Sequence, residues 1–145
     1  TSEYGWGSAG YEGSRSGRAW GGDFAVLGIE TSCDDTAAAV VTSGGKILGE
    51  SKRSQDDISQ QWGGVVPGLA RDAHKGAIDE VVAEALAQAG MDALEVDAVA
   101  VTMGPGLEIC LRIGFHAARD IALGVERGTS EREAVGGRER GGGER

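Results

Sequence analysis

The sequence contains few of the residues that build metal centres and disulfide scaffolds. It has only two cysteines, Cys33 and Cys110, and only two histidines, His74 and His116. The cysteines fall in a turn after a strand and in a helix, so their number and setting predict reduced thiols and no disulfide framework. Neither histidine has a second His or Cys at metal-ligand spacing, and we therefore predict no metal site within this chain.

Several catalytic and nucleotide-binding motifs are also missing. No H-E-x-x-H or G-x-S-x-G segment occurs, and no cysteine has a histidine close in sequence to activate it. The segment Gly104-Pro105-Gly106 is followed neither by a glycine at position 109 nor by Gly-Lys-Ser or Gly-Lys-Thr. The dinucleotide-binding loop and the P-loop are therefore excluded.

Long apolar runs and an excess of positive charge are absent as well. No run of about eighteen apolar residues could form a membrane-spanning helix, and the first residues lack the basic-then-apolar order of a secretory signal. The 14 Lys and Arg residues against 23 Asp and Glu give a net charge of -9, which repels a phosphate backbone. The composition predicts a soluble chain with no membrane partner and no autonomous nucleic-acid binding.

Glycine divides the chain into three parts, because the 26 glycines concentrate at its two ends. We expect a disordered leader at 1–23, one domain at 24–124 and a disordered Gly/Glu/Arg tail at 125–145. After residue 125, Val135 is the only sizeable aliphatic side chain, so the tail cannot bury enough surface to offset its ordering entropy.

Apolar periodicity predicts the elements of the central part. Short apolar runs bounded by turn residues predict strands at 24–30, 36–42, 47–54 and 96–102. Helical spacing of apolar positions predicts helices at 69–89 and 107–123. This order predicts a mixed α/β sheet begun by a three-stranded meander, with the fourth strand parallel to the first. Each lobe of an actin-like (ribonuclease H-like) ATPase begins in this way, so we expect an incomplete N-terminal lobe of that fold.

The turn after the first strand carries hydroxyls, backbone amides and carboxylates, which are suited to orient a phosphate, a water or a cation. In actin-like folds this turn faces the nucleotide phosphates, although an Asp-rich hairpin in solvent explains the same residues equally well. The candidates in this turn are Thr31, Ser32, Cys33, Asp34 and Asp35.

A second turn, Gly104-Pro105-Gly106, lies between the fourth strand and a helix. Its glycines allow close backbone approach, and the helix N-terminus behind it offers amide hydrogens to an anion. By itself this signal is weak, because any turn from strand to helix can carry glycines. We predict that both turns lie side by side at one edge of the sheet and face a nucleotide.

The second helix has more apolar surface than one sheet covers. Its polar side chains occupy an arc of roughly 120 degrees, and nearly everything else is apolar. The excess predicts contact with another helix or chain, unless the helix is simply central in its own lobe. The polar residues are Glu108, Arg112, His116, Arg119 and Asp120.

Three segments together resemble the tRNA N6-adenosine threonylcarbamoyltransferase family, which older names call glycoprotease or O-sialoglycoprotein endopeptidase. They are L-G-I-E-T-S-C-D-D-T at 27–36, G-G-V-V-P at 63–67 and T-M-G-P-G-L at 102–107. Their order and separation make the resemblance specific, and it extends over about 24–124. It implies transfer of the threonylcarbamoyl group from threonylcarbamoyl-AMP to N6 of the adenosine beside the tRNA anticodon.

The resemblance also implies features that this chain does not carry. Family members bind one iron or zinc ion through a His-x-x-x-His pair and a later Asp, and none of these ligands has a counterpart here. They bind the adenylate between two lobes, so we expect this part alone to be inactive and assign no catalytic residue. The family's helices contact a second copy or a small helical partner subunit, which gives four interface candidates: Val81, Val82, Leu111 and Phe115.

Three residues depart from the common bacterial pattern: Gly68, Asp72 and Glu108. They put in doubt a tRNA or adenylate contact at the start of the first helix. Similar changes occur in organellar members from plants and algae, so we expect a mitochondrial or plastid protein, or otherwise a cytoplasmic one. Residues 14–18 are compatible with part of a transit peptide, but Glu3 and Glu12 weaken that interpretation.

Two other functions remain as alternatives. One is a non-catalytic paralogue that supports an active partner, although such proteins usually have Asp-Thr-Ser at the first turn and lack the segment found here at 63–67. The other is an actin-like sugar or acetate kinase, which needs a different first turn and a second lobe for ATP.

Overall fold

The computed structural model describes residues 23–125, which form four strands and three helices. In chain order they are β1 (Ala25–Glu30), β2 (Asp35–Thr42), β3 (Ile47–Ser54), α1 (Asp56–Trp62), α2 (Pro67–Ala89), β4 (Ala98–Val101) and α3 (Glu108–Leu123). The predicted leader and tail lie outside the described residues, apart from residue 23 at one end and residue 125 at the other.

All six predicted elements are present, and the short helix α1 is an addition. It was not predicted because none of its residues is buried, so its sequence has no apolar periodicity. The longer helix α2 begins with Pro67 at its first turn, where the missing amide hydrogen costs nothing. Gly90 ends α2 in the left-handed conformation.

The strands form one sheet in the order β3-β2-β1-β4. The strand β2 is antiparallel to both β1 and β3, whereas β4 is parallel to β1, with Val26 opposite Ala98 and Ile29 opposite Val101. The predicted meander and the parallel fourth strand are therefore confirmed. Parallel pairing places the carboxyl ends of β1 and β4 at the same edge of the sheet.

The core lies between one face of the sheet and the two long helices. Alternate residues of β1 and β2 point into it, among them Leu27 and Val40, which are fully buried. Ile78 of α2 and Ala117 of α3 complete the same cluster. The opposite face of the sheet carries mostly small side chains and lines an open groove of about 800 Å³.

Helix packing corrects half of the predicted partner interface. Val81 is fully buried and Val82 is 8% exposed, because this side of α2 forms part of the core. Neither side chain is available to a second chain. Leu111 is half-buried and Phe115 is 39% exposed, so these two predicted residues remain accessible on α3.

The surface of α3 is as apolar as its sequence indicates. Besides Phe115, both Ile109 and Leu123 are exposed. Glu108 and Arg112 form an ion pair of 2.6 Å across one helical turn. Among the helices of residues 23–125, none is long and apolar enough to cross a membrane.

Candidate functional site

The two predicted turns are in direct contact. The turn at 31–34, here called the first corner, follows β1, and the turn at 104–106, the second corner, follows β4. The amide of Leu107 donates a hydrogen bond of 2.8 Å to the Ser32 carbonyl. A Cβ atom on Gly106 would lie 2.6 Å from that carbonyl oxygen, so only glycine permits this approach. The two corners are thus neighbours at one edge of the sheet.

Thr31 faces the interior, which corrects its prediction as a nucleotide-facing residue. Its side chain is 1% exposed. Its hydroxyl donates to the Cys110 carbonyl at 2.8 Å and accepts from the Gly114 amide at 3.1 Å. Both partners belong to α3, so Thr31 attaches the first corner to that helix and cannot turn toward a ligand without breaking these bonds.

The carbonyl groups of the first corner are turned inward. The Cys33 carbonyl accepts from His74 Nε2 at 3.0 Å, and the Asp34 carbonyl accepts from the Gln55 amide at 3.0 Å. Together with the Ser32 carbonyl, three successive acceptors are occupied by the protein. Within residues 23–125, the amide hydrogens of Cys33 and Asp34 have no recorded protein acceptor. This arrangement leaves donors free for an anion.

The side chains of the first corner differ in exposure. Cys33 is exposed, whereas Ser32, Asp34 and Asp35 are partly exposed. Although the Cys33 residue is exposed, partial desolvation of its sulfur and then the negative charge of Asp34 raise the pKa of the thiol, so the thiolate that a nucleophile would need is disfavoured. Asp35 forms an exposed ion pair of 3.2 Å with Lys52.

Glu30 belongs to this site although it was not among the predicted site residues. Its carboxylate accepts from the Ser32 amide and from the hydroxyls of Ser32 and Thr102. Burial by itself raises the pKa of Glu30, but these hydrogen bonds together outweigh it and lower the pKa below its usual value. Glu30 therefore joins the ends of β1 and β4 as an anion.

His74 is the second site residue that was not predicted. It is fully buried on α2, where Nδ1 lies 2.7 Å from the Thr36 hydroxyl and Nε2 lies 3.0 Å from the Cys33 carbonyl. The sequence did carry one signal for its burial: His74 lies four positions from both Ala70 and Ile78, which are on the buried side of α2. From the sequence it was an ordinary helix position, because Thr36 and Cys33 approach it only in the folded chain.

Metal ligands are not gathered in this part of the chain. Across residues 23–125, no group of three or more His, Cys, Asp or Glu side chains is placed to hold a metal ion. Both ring nitrogens of His74 have protein partners, and His116 lies exposed on another helix. The donor set described here does not fit the iron or zinc ion that the resemblance implies.

Comparison with known proteins decides the family. The family model described as tRNA N6-adenosine threonylcarbamoyltransferase matches residues 46–127, which is more than half of the chain. This chain belongs to the tRNA N6-adenosine threonylcarbamoyltransferase family. The predicted family is therefore confirmed.

Curated members of the threonylcarbamoyltransferase family are similar over the central part of the chain. A probable mitochondrial tRNA N6-adenosine threonylcarbamoyltransferase of Arabidopsis thaliana is 54% identical over 97 residues, 67% of this chain and 20% of the relative. The Sorangium cellulosum enzyme is 52% identical over 97 residues, which are 67% of this chain and 27% of the relative. The mitochondrial Xenopus tropicalis enzyme is 46% identical over 96 residues, which are 66% of this chain and 24% of the relative. This chain thus spans about a fifth to three tenths of its curated relatives.

A solved structure supports the fold. YeaZ from Pseudomonas aeruginosa superposes with a TM-score of 0.52 at 24% sequence identity, over 72% of this chain and 41% of that one. At this identity the likeness concerns the fold alone. The actin-like α/β fold predicted for this threonylcarbamoyltransferase family member is confirmed.

Proposed function

We propose that this chain supplies part of the nucleotide site of a tRNA N6-adenosine threonylcarbamoyltransferase. The supporting observation is the hydrogen-bonded contact of the two corners, which places free backbone amides beside the N-terminus of α3. The names of the relatives supply the reaction, since each is a tRNA N6-adenosine threonylcarbamoyltransferase. The donor that we propose is threonylcarbamoyl-AMP, and the acceptor is N6 of an adenosine in tRNA.

The chemistry of such a transfer needs stabilisation of a leaving phosphate. The N6 amine forms a bond to the carbamoyl carbon, the bond between that carbon and the AMP phosphate oxygen breaks, and the amine loses a proton. The amides of Cys33 and Asp34 can donate to the phosphate as its charge grows. The carboxylates of Asp34 and Asp35 repel a phosphate directly, so we assign them to a bound water or cation.

We assign the iron or zinc ion of the complete enzyme to residues other than those described here. Such a metal ion can act as a Lewis acid that polarises a carbonyl or phosphoryl oxygen. Of the two histidines, His74 is occupied by protein partners, and His116 lies on another helix with no second metal ligand at the required spacing. No role in the transfer is therefore derived for a metal held by this part of the chain.

The exposed side of α3 and the names of the relatives support a proposal for the partner and the location. We propose that a second copy or a small helical subunit covers the exposed side of α3 around Leu111 and Phe115, because apolar side chains there are left in solvent.

We propose a mitochondrial location, because the relatives from Arabidopsis thaliana and Xenopus tropicalis are named as mitochondrial enzymes.

A chimera tests the proposed function. In it, residues 24–124 replace the matching stretch of the Sorangium cellulosum relative, and transfer is measured with threonylcarbamoyl-AMP and tRNA. We expect an active chimera, and a roughly tenfold lower kcat/KM in the Ser32→Ala variant, because the hydroxyl that donates to Glu30 and holds the first corner in place is lost. Lys46→Ala, in the exposed β2–β3 hairpin, is the matched control and should change nothing.

Two outcomes oppose the proposal. A chimera that folds but transfers nothing, beside an active parent enzyme, contradicts a role in the transfer. If the isolated chain then stimulates the parent enzyme, the result favours the non-catalytic paralogue. Phosphorylation of a sugar or acetate by the chimera with ATP identifies the kinase alternative.

A further inference from the structure

The proton on the His74 ring is assigned by its two partners. The Cys33 carbonyl can only accept, so Nε2, which lies 3.0 Å away, carries a hydrogen. In the neutral ring Nδ1 is then an acceptor, and the Thr36 hydroxyl at 2.7 Å donates to it. Both His74 and Thr36 are buried, so water does not compete for the bond between them.

The bond to Cys33 fixes the direction of one peptide group at the site. The Cys33 carbonyl and the Asp34 amide hydrogen belong to the same trans peptide, and they point in opposite directions. Because the carbonyl points inward at His74, the Asp34 amide hydrogen points outward, away from the core. Nothing else among the described residues is recorded as donating to this carbonyl. The orientation of that amide thus depends on a side chain from α2.

We propose that His74 is a positioning residue that, through the Cys33 carbonyl, aims the Asp34 amide at the phosphate of the bound adenylate. The proposal rests on the function proposed above for the two corners. The contacts run from α2 through the His74 ring to the first corner, and the Thr36 hydroxyl supports the tautomer that the Cys33 carbonyl requires by donating to Nδ1. Gln55 acts in parallel, since its amide holds the Asp34 carbonyl and its side chain donates to the Ala70 carbonyl at 3.2 Å.

Replacing His74 by Gln or by Asn separates the two hydrogen bonds that its ring makes. The side-chain amide of His74→Gln reaches the position of Nε2 and can still donate to Cys33. The amide of His74→Asn reaches only the position of Nδ1, so it keeps the Thr36 contact and loses the Cys33 bond. His116→Asn, on the exposed side of α3, is the control for loss of an imidazole.

The first measurement uses the 145-residue chain and does not depend on catalysis. Nitrogen-15 shifts of the ring should show a hydrogen on Nε2, and Thr36→Val should change them. The carbonyl carbon-13 shift of Cys33 should move in His74→Asn and stay near the wild-type value in His74→Gln. An Nδ1–H tautomer, or a Cys33 carbonyl shift that is the same in both variants, overturns the proposal.

The second measurement uses the chimera and the substrate. His74→Asn should lower kcat/KM for threonylcarbamoyl-AMP about five- to tenfold, because one oriented donor to the leaving phosphate is lost. His74→Gln should keep kcat/KM within about twofold of wild type. Equal kcat/KM values for the two variants overturn the positioning role. An inactive wild-type chimera would instead oppose the proposed function, while the shifts of the isolated chain would still decide the role of His74.

Discussion

Gly114 allows α3 to lie directly on the end of β1. A Cβ atom at this position would lie 2.7 Å from the Thr31 hydroxyl oxygen and 3.3 Å from a Val101 methyl group. A glycine inside a helix costs about 1 kcal/mol relative to alanine. Here that cost is offset, because the missing side chain brings the Thr31 hydroxyl within reach of the helix backbone.

Gly114→Ala should therefore destabilise the chain, whereas Gly76→Ala should stabilise it. Both glycines lie within helices, but an added Cβ at Gly76 meets nothing within 4 Å. We expect the free energy of unfolding to fall by about 1–3 kcal/mol for Gly114→Ala from overpacking. It should rise by about 0.5–1 kcal/mol for Gly76→Ala from helix propensity. Urea unfolding of both variants measures the difference.

A double-mutant cycle identifies the atom responsible at position 114. If the Thr31 hydroxyl causes the clash, Gly114→Ala should cost less in a Thr31→Ala background than in the wild type. Equal costs in the two backgrounds would show that the helix is held by other contacts.

Because of Glu30, we expect the free energy of unfolding to depend on pH in the acid range. Its pKa is lowered in the folded chain, so its ionised form stabilises the fold above the pKa of the unfolded chain. That contribution is lost as the pH falls through the lowered pKa of the folded state. Glu30→Gln should therefore flatten the decline of unfolding free energy on acidification, as measured by urea unfolding between about pH 3 and 7.

Glu50→Gln provides the comparison for Glu30, since this exposed residue on β3 lies outside the first corner. If Glu30→Gln and Glu50→Gln change the decline of unfolding free energy on acidification equally, the hydrogen bonds from Ser32 and Thr102 do not cause that decline.

At the level of elements, α2 and α3 have different exposed surfaces. The helix α2 turns Val81 and Val82 into the core, whereas α3 leaves Ile109, Phe115 and Leu123 exposed. The sequence predicted both helices correctly, but it did not distinguish which apolar side chains face the sheet. Both sets have helical spacing, and only the packing of each helix on its strands separates them.

Substitutions on the two helices should have separate effects. Val81→Ala should lower the free energy of unfolding by about 2 kcal/mol, because it leaves a cavity in the core. Phe115→Asp should weaken association with the second copy proposed to cover α3, and it should change stability by less than about 1 kcal/mol. Chemical unfolding and sedimentation velocity measure the two effects.

Val65→Ala is the matched control for Val81→Ala, because it removes the same two methyl groups from a side chain that is 36% exposed. A similar loss of stability in both variants would contradict the placement of Val81 in the core. A sedimentation profile that is the same with and without Phe115→Asp would exclude α3 as the interface between two copies of this chain.

For the whole molecule, the described part is a sheet covered on one face. The two long helices pack on the face that contains Leu27 and Val40, and the other face lines the open groove. Gly28, Ala37 and Ala39 on that face are small, so an element packed there could approach the sheet closely. The curated relatives are several times longer, since this chain spans only a fifth to three tenths of their length.

The order of elements was determined by the sequence, because strands and helices leave different apolar periods in a single chain. The family was also accessible from sequence, since the three motifs stand in order at 27–36, 63–67 and 102–107. The helix α1 has no helical spacing of apolar residues in its sequence, because none of its residues is buried.

Only the tertiary structure decided which residues of the two corners face outward. Thr31 and Ser32 are neighbours in sequence, yet the hydroxyl of Thr31 is held by α3 while the Ser32 carbonyl is held by the amide of Leu107, directly after the second corner. His74 reaches Cys33 across 41 positions of the chain. Contacts of this kind depend on how α2 and α3 dock on the sheet, and docking leaves no local pattern in the sequence.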